Sequence, residues 1–315
     1  MSDIFDAFVL LPFPPANGAG IQRFESLPVV DGSPHLFAKS TDGHACLLIA
    51  TGIGPVPAPI QLEYLTVQHS VRGAVHATSS ISSSRFSVIT LRRDDEDLVR
   101  LFLRFAVFLV DQFGSEPKPQ EVADEVRRLT GLLQQLRRPS TKTVQGLWAE
   151  LFVMNQRRNS ERWLQGWHVD PEARHDFFVG GVRVEVKSSS GRLRRHHFSH
   201  EQLSAPRNAI LWVASVLVER SGSGLSVFDL VQSMHQQLTI ESSMILDEML
   251  VRTLGSDFDK AGEFKYDLAH SQDTLLFYPL DRIPRLLHEV PERVSDISYS
   301  VQLLDSDGQR DLHFA

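Results

Sequence analysis

Two acidic residues and a lysine lie in one short segment that is typical of a β-hairpin. The segment reads His-Asp-Phe-Phe-Val-Gly-Gly-Val-Arg-Val-Glu-Val-Lys over residues 175–187. The Gly-Gly pair at 180–181, between valine-rich runs, predicts a two-residue turn, because such turns need the positive φ angles that glycine adopts freely. Counting outward from that turn places Asp176 opposite Glu185. Since side chains alternate along a strand, both acids and Lys187 share one face.

Carboxylates that face each other across a hairpin point to metal chemistry. Their repulsion is destabilising, by up to about 1 kcal/mol, unless positive charge lies between them. Carboxylate oxygens are hard ligands that favour magnesium or manganese, so Asp176 and Glu185 are candidate ligands of a divalent ion. Lys187 could hold an attacking water and offset charge on a phosphoryl oxygen. The alternative is a solvated face on which Arg183 and Lys187 neutralise both acids.

A third acid lies on a predicted helix upstream of the hairpin. The apolar stripe of this helix consists of Val144, Leu147, Leu151 and Met154. Glu150 falls inside that stripe, where an acid is costly unless it is paired or binds a metal. Packed against the hairpin, Glu150 would complete a three-carboxylate site. Pairing with Arg157 or another arginine is the alternative.

The order of these residues resembles the PD-(D/E)XK nuclease superfamily. Glu150 on a helix, then Asp176 on a strand, then Glu185-Val186-Lys187 on the next strand match that superfamily over roughly residues 140–240. The match departs from the pattern at His175, which stands where the motif has proline. The wider chain resembles a bacterial family of PD-(D/E)XK motif proteins that is often found beside restriction or phage-defence genes.

The resemblance implies roles for the four residues. Asp176 and Glu185 would bind Mg²⁺, which Mn²⁺ can replace, Lys187 would orient or activate water, and Glu150 would assist the metal. It also implies an α/β fold with a restriction-endonuclease-like core, a central mixed sheet flanked by helices. We expect an N-terminal β-rich domain before this core and a C-terminal α+β extension after it.

Basic residues gather just after the hairpin. Residues 183–207 contain six arginines and lysines but only two acids, although the whole chain carries a net charge of −7. A local groove for a phosphate backbone is therefore expected here, with a solvated loop as the alternative. The predicted nucleic-acid contacts in this segment are Arg183, Ser188, Arg192, Arg194, Arg195 and His197. The resemblance to the superfamily implies Gln202 as a further contact, because a glutamine often lies near the site at the start of the next helix.

The remaining sequence predicts the elements that must position this site. Short apolar runs over 35–92 indicate an antiparallel sheet, and the uncharged run at 209–218 indicates a central strand covered on both faces. Breaks in the pattern divide the 315 residues into segments 1–115, 116–239 and 240–315. The middle segment is the expected nuclease core.

Composition excludes several classes of protein. A single cysteine, Cys46, rules out a disulfide framework and fits a reducing compartment. The most apolar stretch, 98–110, is too short to cross a bilayer, and the start of the chain has no basic region typical of a signal peptide. We therefore expect a cytoplasmic protein without a membrane partner.

The function predicted from sequence is a Mg²⁺-dependent DNA endonuclease of a bacterial restriction-modification or phage-defence system. Cutting both strands of a duplex usually needs two sites, so a homodimer or a subunit of a larger defence complex is expected. The alternative is a non-catalytic subunit that uses the same fold for DNA binding or assembly. A repair or junction-cleaving enzyme on this fold is a third, weaker alternative.

Overall fold

The computed structural model describes residues 4–16, 21–77, 80–168, 174–204, 210–286, 291 and 293–312. Its contacts divide the chain into two compact units, Met1–Arg138 and Pro139–Ala315. This division differs from the three predicted segments. Residues 116–138 group with the N-terminal unit, and residues 240–315 group with the predicted core, because a strand at 276–279 joins the core sheet.

The N-terminal unit is mainly β-structure, as the short apolar runs predicted. Its strands are β1 (Gln22–Pro28), β2 (Leu36–Lys39), β3 (Ala45–Ala50), β4 (Ile60–Gln61), β5 (Leu65–Ala77) and β6 (Ser80–Leu91). Its helices are α1 (Ile4–Val9), α2 (Glu96–Asp111) and α3 (Pro119–Leu133). The sheet order is β1-β2-β3-β6-β5-β4, and a parallel pairing of β1 with β5 closes it.

Apolar side chains form the core of this closed sheet. Phe24, Cys46, Leu48 and Phe86 belong to one buried cluster. Burial raises the pKa of the Cys46 thiol to about 12, although a hydrogen bond with Thr90 acts in the opposite direction. A thiol in this state is protonated at neutral pH, so Cys46 is a packing residue and not a nucleophile.

The C-terminal unit combines strands with helices. Its strands are β7 (Phe177–Val179), β8 (Val182–Ser189), β9 (Arg194–Ser199), β10 (Ile210–Leu217), β11 (Arg220–Leu225), β12 (Leu276–Pro279) and β13 (Ser298–Leu303). Its helices are α4 (Val144–Asn155), α5 (Ser160–Gln165), α6 (Val227–His235), α7 (Ile240–Leu254), α8 (Phe258–Ala261) and α9 (Leu268–Thr274). Within the described ranges, no helix of either unit is long and apolar enough to cross a bilayer.

A four-stranded mixed sheet, in the order β12-β10-β8-β7, forms the centre of this unit. The apolar run at 209–218 supplies β10, which pairs in parallel with β8 and antiparallel with β12, so its prediction as a central strand is confirmed. Helix α4 packs against β8 and α6. A two-stranded sheet of β9 and β13 packs on Val213 and Tyr278. This mixed α/β arrangement confirms the predicted restriction-endonuclease-like fold class.

The predicted hairpin is formed by β7 and β8. Its two turn glycines have φ of 61° and 81°, which is the left-handed conformation expected of a Gly-Gly turn. The pairing runs outward to Phe177 opposite Val184, one residue short of Asp176 and Glu185. The register counted from the sequence is therefore confirmed.

Residues 166–168 run beside β7 and extend this edge of the sheet. The amide of Phe178 donates to the Gly166 carbonyl at 2.8 Å, and the amide of His168 donates to the Asp176 carbonyl at 3.1 Å. A Cβ atom at Gly166 would lie 2.3 Å from the Phe178 carbonyl oxygen. Only glycine permits this approach, which brings His168 beside Asp176.

We predict that Gly166→Ala lowers the free energy of unfolding by about 1–3 kcal/mol, because the added methyl group overpacks the contact with β7. Urea unfolding followed by circular dichroism measures this change. Gly222→Ala is the matched control, since a Cβ there would meet nothing within 4 Å. Equal stability of the two variants would contradict the close approach of residues 166–168 to β7.

Candidate metal centre

Three buried acids lie on three elements of the C-terminal unit. Helix α4 carries Glu150, Asp176 immediately precedes β7, and Glu185 lies in β8. Their exposed fractions are 3%, 7% and 3% respectively. The solvated hairpin face that was the alternative for Asp176 and Glu185 is therefore wrong. Burial of three carboxylates requires compensating positive charge.

Lys142 supplies part of that charge. Its Nζ lies 2.5 Å from Glu150 Oε1 and 2.6 Å from Asp176 Oδ1, so the ammonium bridges the two acids. The Lys142 side chain is 29% exposed. The next residue, Thr143, caps the start of α4, where its side chain accepts a hydrogen bond from a helix amide. Glu150 is thus paired with a lysine and not with the arginine considered from the sequence.

Residues 167 and 168 complete the surroundings of Glu150. The indole Nε1 of Trp167 donates to Glu150 Oε2 at 2.8 Å. The Nε2 atom of His168 lies 2.9 Å from the same oxygen and 3.1 Å from Lys142 Nζ. Depending on its tautomer, His168 donates to the carboxylate or accepts from the ammonium. Both oxygens of this buried acid are therefore engaged.

Glu185 has its own partners, which differ from those of Glu150 and Asp176. Its Oε1 atom lies 2.8 Å from Lys187 Nζ and accepts a hydrogen bond of 2.6 Å from Gln202 Nε2. Lys187 also donates to Gln202 Oε1 at 3.3 Å and lies over the Phe198 ring, 5.0 Å from its centroid. Lys187 is thus fixed beside Glu185, as the Glu-x-Lys spacing predicted.

The charges of the cluster are incompletely balanced. Burial, followed by repulsion from Asp176, raises the pKa of Glu185 to about 8. Burial and then repulsion from Glu150 also raise the pKa of Asp176, although Lys142 and the Val186 amide act in the opposite direction. Burial would raise the pKa of Glu150 as well, but His168 and Lys142 outweigh it and lower that pKa. Positive charge is therefore missing mainly at Asp176 and Glu185.

The donor set fits a divalent cation. Ligand atoms of Glu150, His168 and Asp176 lie within 4.8 Å of one another, which is close enough for one ion. The Oε2 atom of Glu185 is buried and has no hydrogen-bond partner among the described residues. A cation would supply that partner and would favour the ionised forms of Asp176 and Glu185.

One predicted nucleic-acid contact is wrong. Arg194 is only 3% exposed, and all three of its guanidinium nitrogens are bound within the fold. Nε pairs with Asp305 at 2.6 Å, one terminal nitrogen donates to the Ser215 carbonyl at 2.8 Å, and the other donates to the Thr274 carbonyl. Because burial and these bonds exclude a phosphate, Arg194 is a structural residue.

The other predicted nucleic-acid contacts differ in their exposure to solvent. Arg192, Arg195 and His197 are exposed, so they remain accessible to a ligand. Arg183 is half-buried and lies over Phe178, 5.8 Å from its ring centroid. Ser188 accepts a hydrogen bond from Gln145 at 3.1 Å, and Gln202 is engaged with Glu185 and Lys187. These last two side chains support neighbours within the unit.

Sequence reasoning missed Lys142 and His168. Lys142 lies in a polar stretch before a helix, where a lysine is usually solvated, and nothing in its local pattern indicates two carboxylate partners. His168 adopts a positive φ of 46°, which the sequence does not reveal. The one available signal was the tryptophan beside it, because a buried indole N–H needs an acceptor.

Comparison with known proteins gives one family match. The family model described as "Putative PD-(D/E)XK family member" (DUF4420) matches residues 22–304. The match covers most of both units and includes every predicted site residue. No curated protein and no solved structure shows significant similarity to the chain.

The raised pKa of Glu185 predicts a pH-dependent stability in the absence of divalent metal. An acid whose pKa is about 8 in the folded protein and about 4.5 when unfolded stabilises the fold below pH 4.5. This stabilisation is lost as the pH rises toward 8, by up to about 1.4 kcal/mol per pH unit for one group. In EDTA, urea unfolding should therefore show a steeper loss of stability for wild type than for Glu185→Gln.

A comparison of the two pH dependences can also contradict the raised pKa of Glu185. Parallel curves for the two proteins between pH 5 and pH 8 would mean that Glu185 is ionised in the folded state at neutral pH. Gln302→Glu, on the exposed side of β13, is a control that places a new acid in solvent. It should leave the pH dependence of wild type unchanged over this range.

Proposed function

The chain belongs to the DUF4420 family of PD-(D/E)XK members, and from this membership and the geometry of the acids we propose that it is a metal-dependent nuclease that hydrolyses phosphodiester bonds in DNA. The observation that carries the proposal is that one lysine ammonium, Lys142, bridges the buried Glu150 and Asp176, while a second, Lys187, is fixed on the buried Glu185. This arrangement combines cation-binding oxygens with a hydrogen-bond donor for a phosphate or a water.

We propose Mg²⁺, or Mn²⁺ in its place, as the ion. Asp176 and Glu185 would hold it, with Glu150 and His168 as further ligands. A predominance of carboxylate oxygens favours these hard ions over zinc, which usually takes several His or Cys ligands. When bound, such an ion supplies Lewis-acid chemistry by withdrawing charge from a phosphoryl oxygen.

Lys187 would position the nucleophile. Glu185 Oε1 and Gln202 Oε1 accept two of the three hydrogen bonds that its ammonium can donate. The third N–H is available for a water or a phosphoryl oxygen. Because two bonds fix the direction of the third, Lys187 can orient its ligand without rearranging, which is the source of much enzymatic rate enhancement.

Lys142 would act as an internal counter-ion before the metal binds. Its ammonium lies between Glu150 and Asp176, so it holds two negative side chains in place that would otherwise repel. A divalent ion that binds both acids competes with this ammonium. Since Lys142 is 29% exposed, it has a route to solvent when the metal takes its place.

The same observation favours a second function, the non-catalytic subunit. A lysine that bridges Glu150 and Asp176 makes part of the cluster self-sufficient without metal. On that account the acids would be a structural ion-pair network in a DNA-binding or assembly module. The unpartnered Oε2 atom of Glu185 favours the nuclease, because a purely structural network has no reason to leave a buried acid half-satisfied.

The biological setting stays a prediction. We propose DNA as the substrate, and a homodimer or a subunit of a restriction or phage-defence complex as the working form. Exposed Arg192, Arg195 and His197 support a phosphate-binding role near the site. A cytoplasmic location fits these roles.

We predict that Asp176→Asn and Lys187→Met separate metal binding from chemistry. Asp176→Asn removes a charged ligand, so Mn²⁺ binding measured by calorimetry should weaken at least tenfold, and cleavage of plasmid DNA should fall by at least 100-fold. Lys187→Met should retain Mn²⁺ binding but lose cleavage to a similar degree, because removal of one preorganised donor costs about 100- to 1,000-fold in rate.

Arg252→Ala is the matched control for the loss of a cation, since among the described residues this exposed arginine of α7 pairs only with Glu248, one helical turn away. It should bind Mn²⁺ and cleave DNA like wild type. Mn²⁺ binding that is unchanged in Asp176→Asn would contradict the metal centre. Loss of folding in both site variants would instead support the structural network.

A further inference from the structure

An open cleft of about 650 Å³ lies in the C-terminal unit beside the candidate metal centre. Lys142 lines this cleft and also contacts Glu150 and Asp176, so one side chain connects the cleft with two of the acids. Its volume is within the range of ligand-binding clefts in proteins. None of the nucleic-acid contacts predicted from the sequence lines it.

The cleft has an excess of positive charge. Lys142, Arg220 and Lys260 line it, against the single acid Asp257. Glu150 and Asp176 already neutralise the charge of Lys142. In the described part of the chain, neither Arg220 nor Lys260 forms an ion pair. The Arg220 guanidinium donates one hydrogen bond to the Glu263 carbonyl at 3.2 Å, which leaves its charge without a counter-ion. In a chain whose net charge is −7, such a local excess favours an anion.

An aromatic ring lies among these cations. Phe264 lines the cleft and is half-buried, so part of its ring remains accessible. The guanidinium of Arg220 lies over that ring, 4.3 Å from its centroid, and 5.7 Å from the centroid of the buried Tyr266 ring. Nucleic-acid bases stack both on aromatic rings and on guanidinium planes. Phe264 and Arg220 therefore form a stacking platform.

The backbone holds this platform in place. Tyr266 forms bridges with both ends of β11, at Arg220 and Leu225, and the amide of Ser221 donates to the Lys265 carbonyl at 3.1 Å. A Cβ atom at Gly224 would lie 2.3 Å from the Tyr266 carbonyl oxygen, so glycine permits the close pairing. A platform fixed in this way loses little conformational entropy when a base stacks on it.

We propose that the cleft binds a single-stranded segment of DNA, with a phosphate at Lys260 and an unpaired base stacked on the platform of Phe264 and Arg220. The inference rests on the proposed nuclease function and adds to it the form of the substrate. A base inside a duplex is already stacked between its neighbours, so only an unpaired base can use this platform. Because stacking and phosphate contacts are independent of base identity, binding here tolerates any sequence.

The test compares DNA binding by variants of the cleft in the full-length chain. Fluorescence anisotropy with a labelled oligothymidine, in EDTA to prevent hydrolysis, measures affinity over a series of salt concentrations. Phe264→Leu keeps an apolar side chain but loses stacking, and should weaken binding about tenfold. Phe264→Tyr keeps the ring and should bind like wild type. Lys260→Ala should reduce the slope of log affinity against log salt by about 0.7, the value for one phosphate contact on a single strand.

Two controls separate this inference from the proposed function. Arg252→Ala, which lies outside the cleft, should retain both the affinity and the salt slope of wild type. Mn²⁺ titration of Phe264→Leu and Lys260→Ala should match wild type, since neither residue contacts the acids of the metal centre. Cleavage that is unaffected by Asp176→Asn would refute the proposed function without changing the binding result.

The inference is overturned by either of two results. Phe264→Leu and Lys260→Ala could bind oligothymidine as tightly as wild type, which would place the DNA elsewhere. Alternatively, wild type could bind blunt duplex DNA as tightly as the single strand, which would exclude a role for an unpaired base. Weaker binding by both variants, with recovery in Phe264→Tyr, supports the cleft.

Discussion

Mutual repulsion of three buried carboxylates is the constraint on which the C-terminal unit depends. Glu150, Asp176 and Glu185 come from separate elements of one small sheet-and-helix core, and each is almost completely removed from solvent. A buried acid without compensation favours its neutral form or destabilises the fold. Much of the local structure supplies compensation in the form of ammonium groups, an indole N–H, an imidazole and a backbone amide. The incomplete balance of charge at Asp176 and Glu185 is the reason why a divalent cation is proposed as their partner.

Two lysines contact different members of this group of acids. Lys187, on the same strand as Glu185, is held by two acceptors and is therefore preorganised to direct its remaining N–H. Lys142 lies between Glu150 and Asp176, and its partly exposed side chain could turn toward solvent when a metal binds. On the proposed function, the same cluster would be stable without a metal and would still bind one. Competition with an internal ammonium would weaken the affinity for metal, because binding must first displace a favourable ion pair.

Sequence reasoning was most successful where chemistry depends on local spacing. A Gly-Gly turn fixes the register of a hairpin, and strand alternation then assigns the faces, so the relation of Asp176 to Glu185 and Lys187 followed from counting. It failed where a contact depends on how distant segments pack. Lys142 reaches Asp176, and His168 reaches Glu150, only when α4 is packed against the sheet. Arg194 is paired with Asp305, which lies 111 residues away in the sequence. Composition showed an excess of basic residues over 183–207, but it could not distinguish a structural arginine from a phosphate ligand.

The most direct test of the central claim is anomalous diffraction from crystals grown with Mn²⁺. The account predicts an anomalous peak at Asp176 and Glu185, with Lys142 Nζ withdrawn from the carboxylates that it bridges in the absence of metal. Occupancy of this position would show that the acids are cation ligands in the folded chain. No peak at saturating Mn²⁺, with Lys142 still bridging Glu150 and Asp176, would contradict the account and leave the acids as a structural ion-pair network.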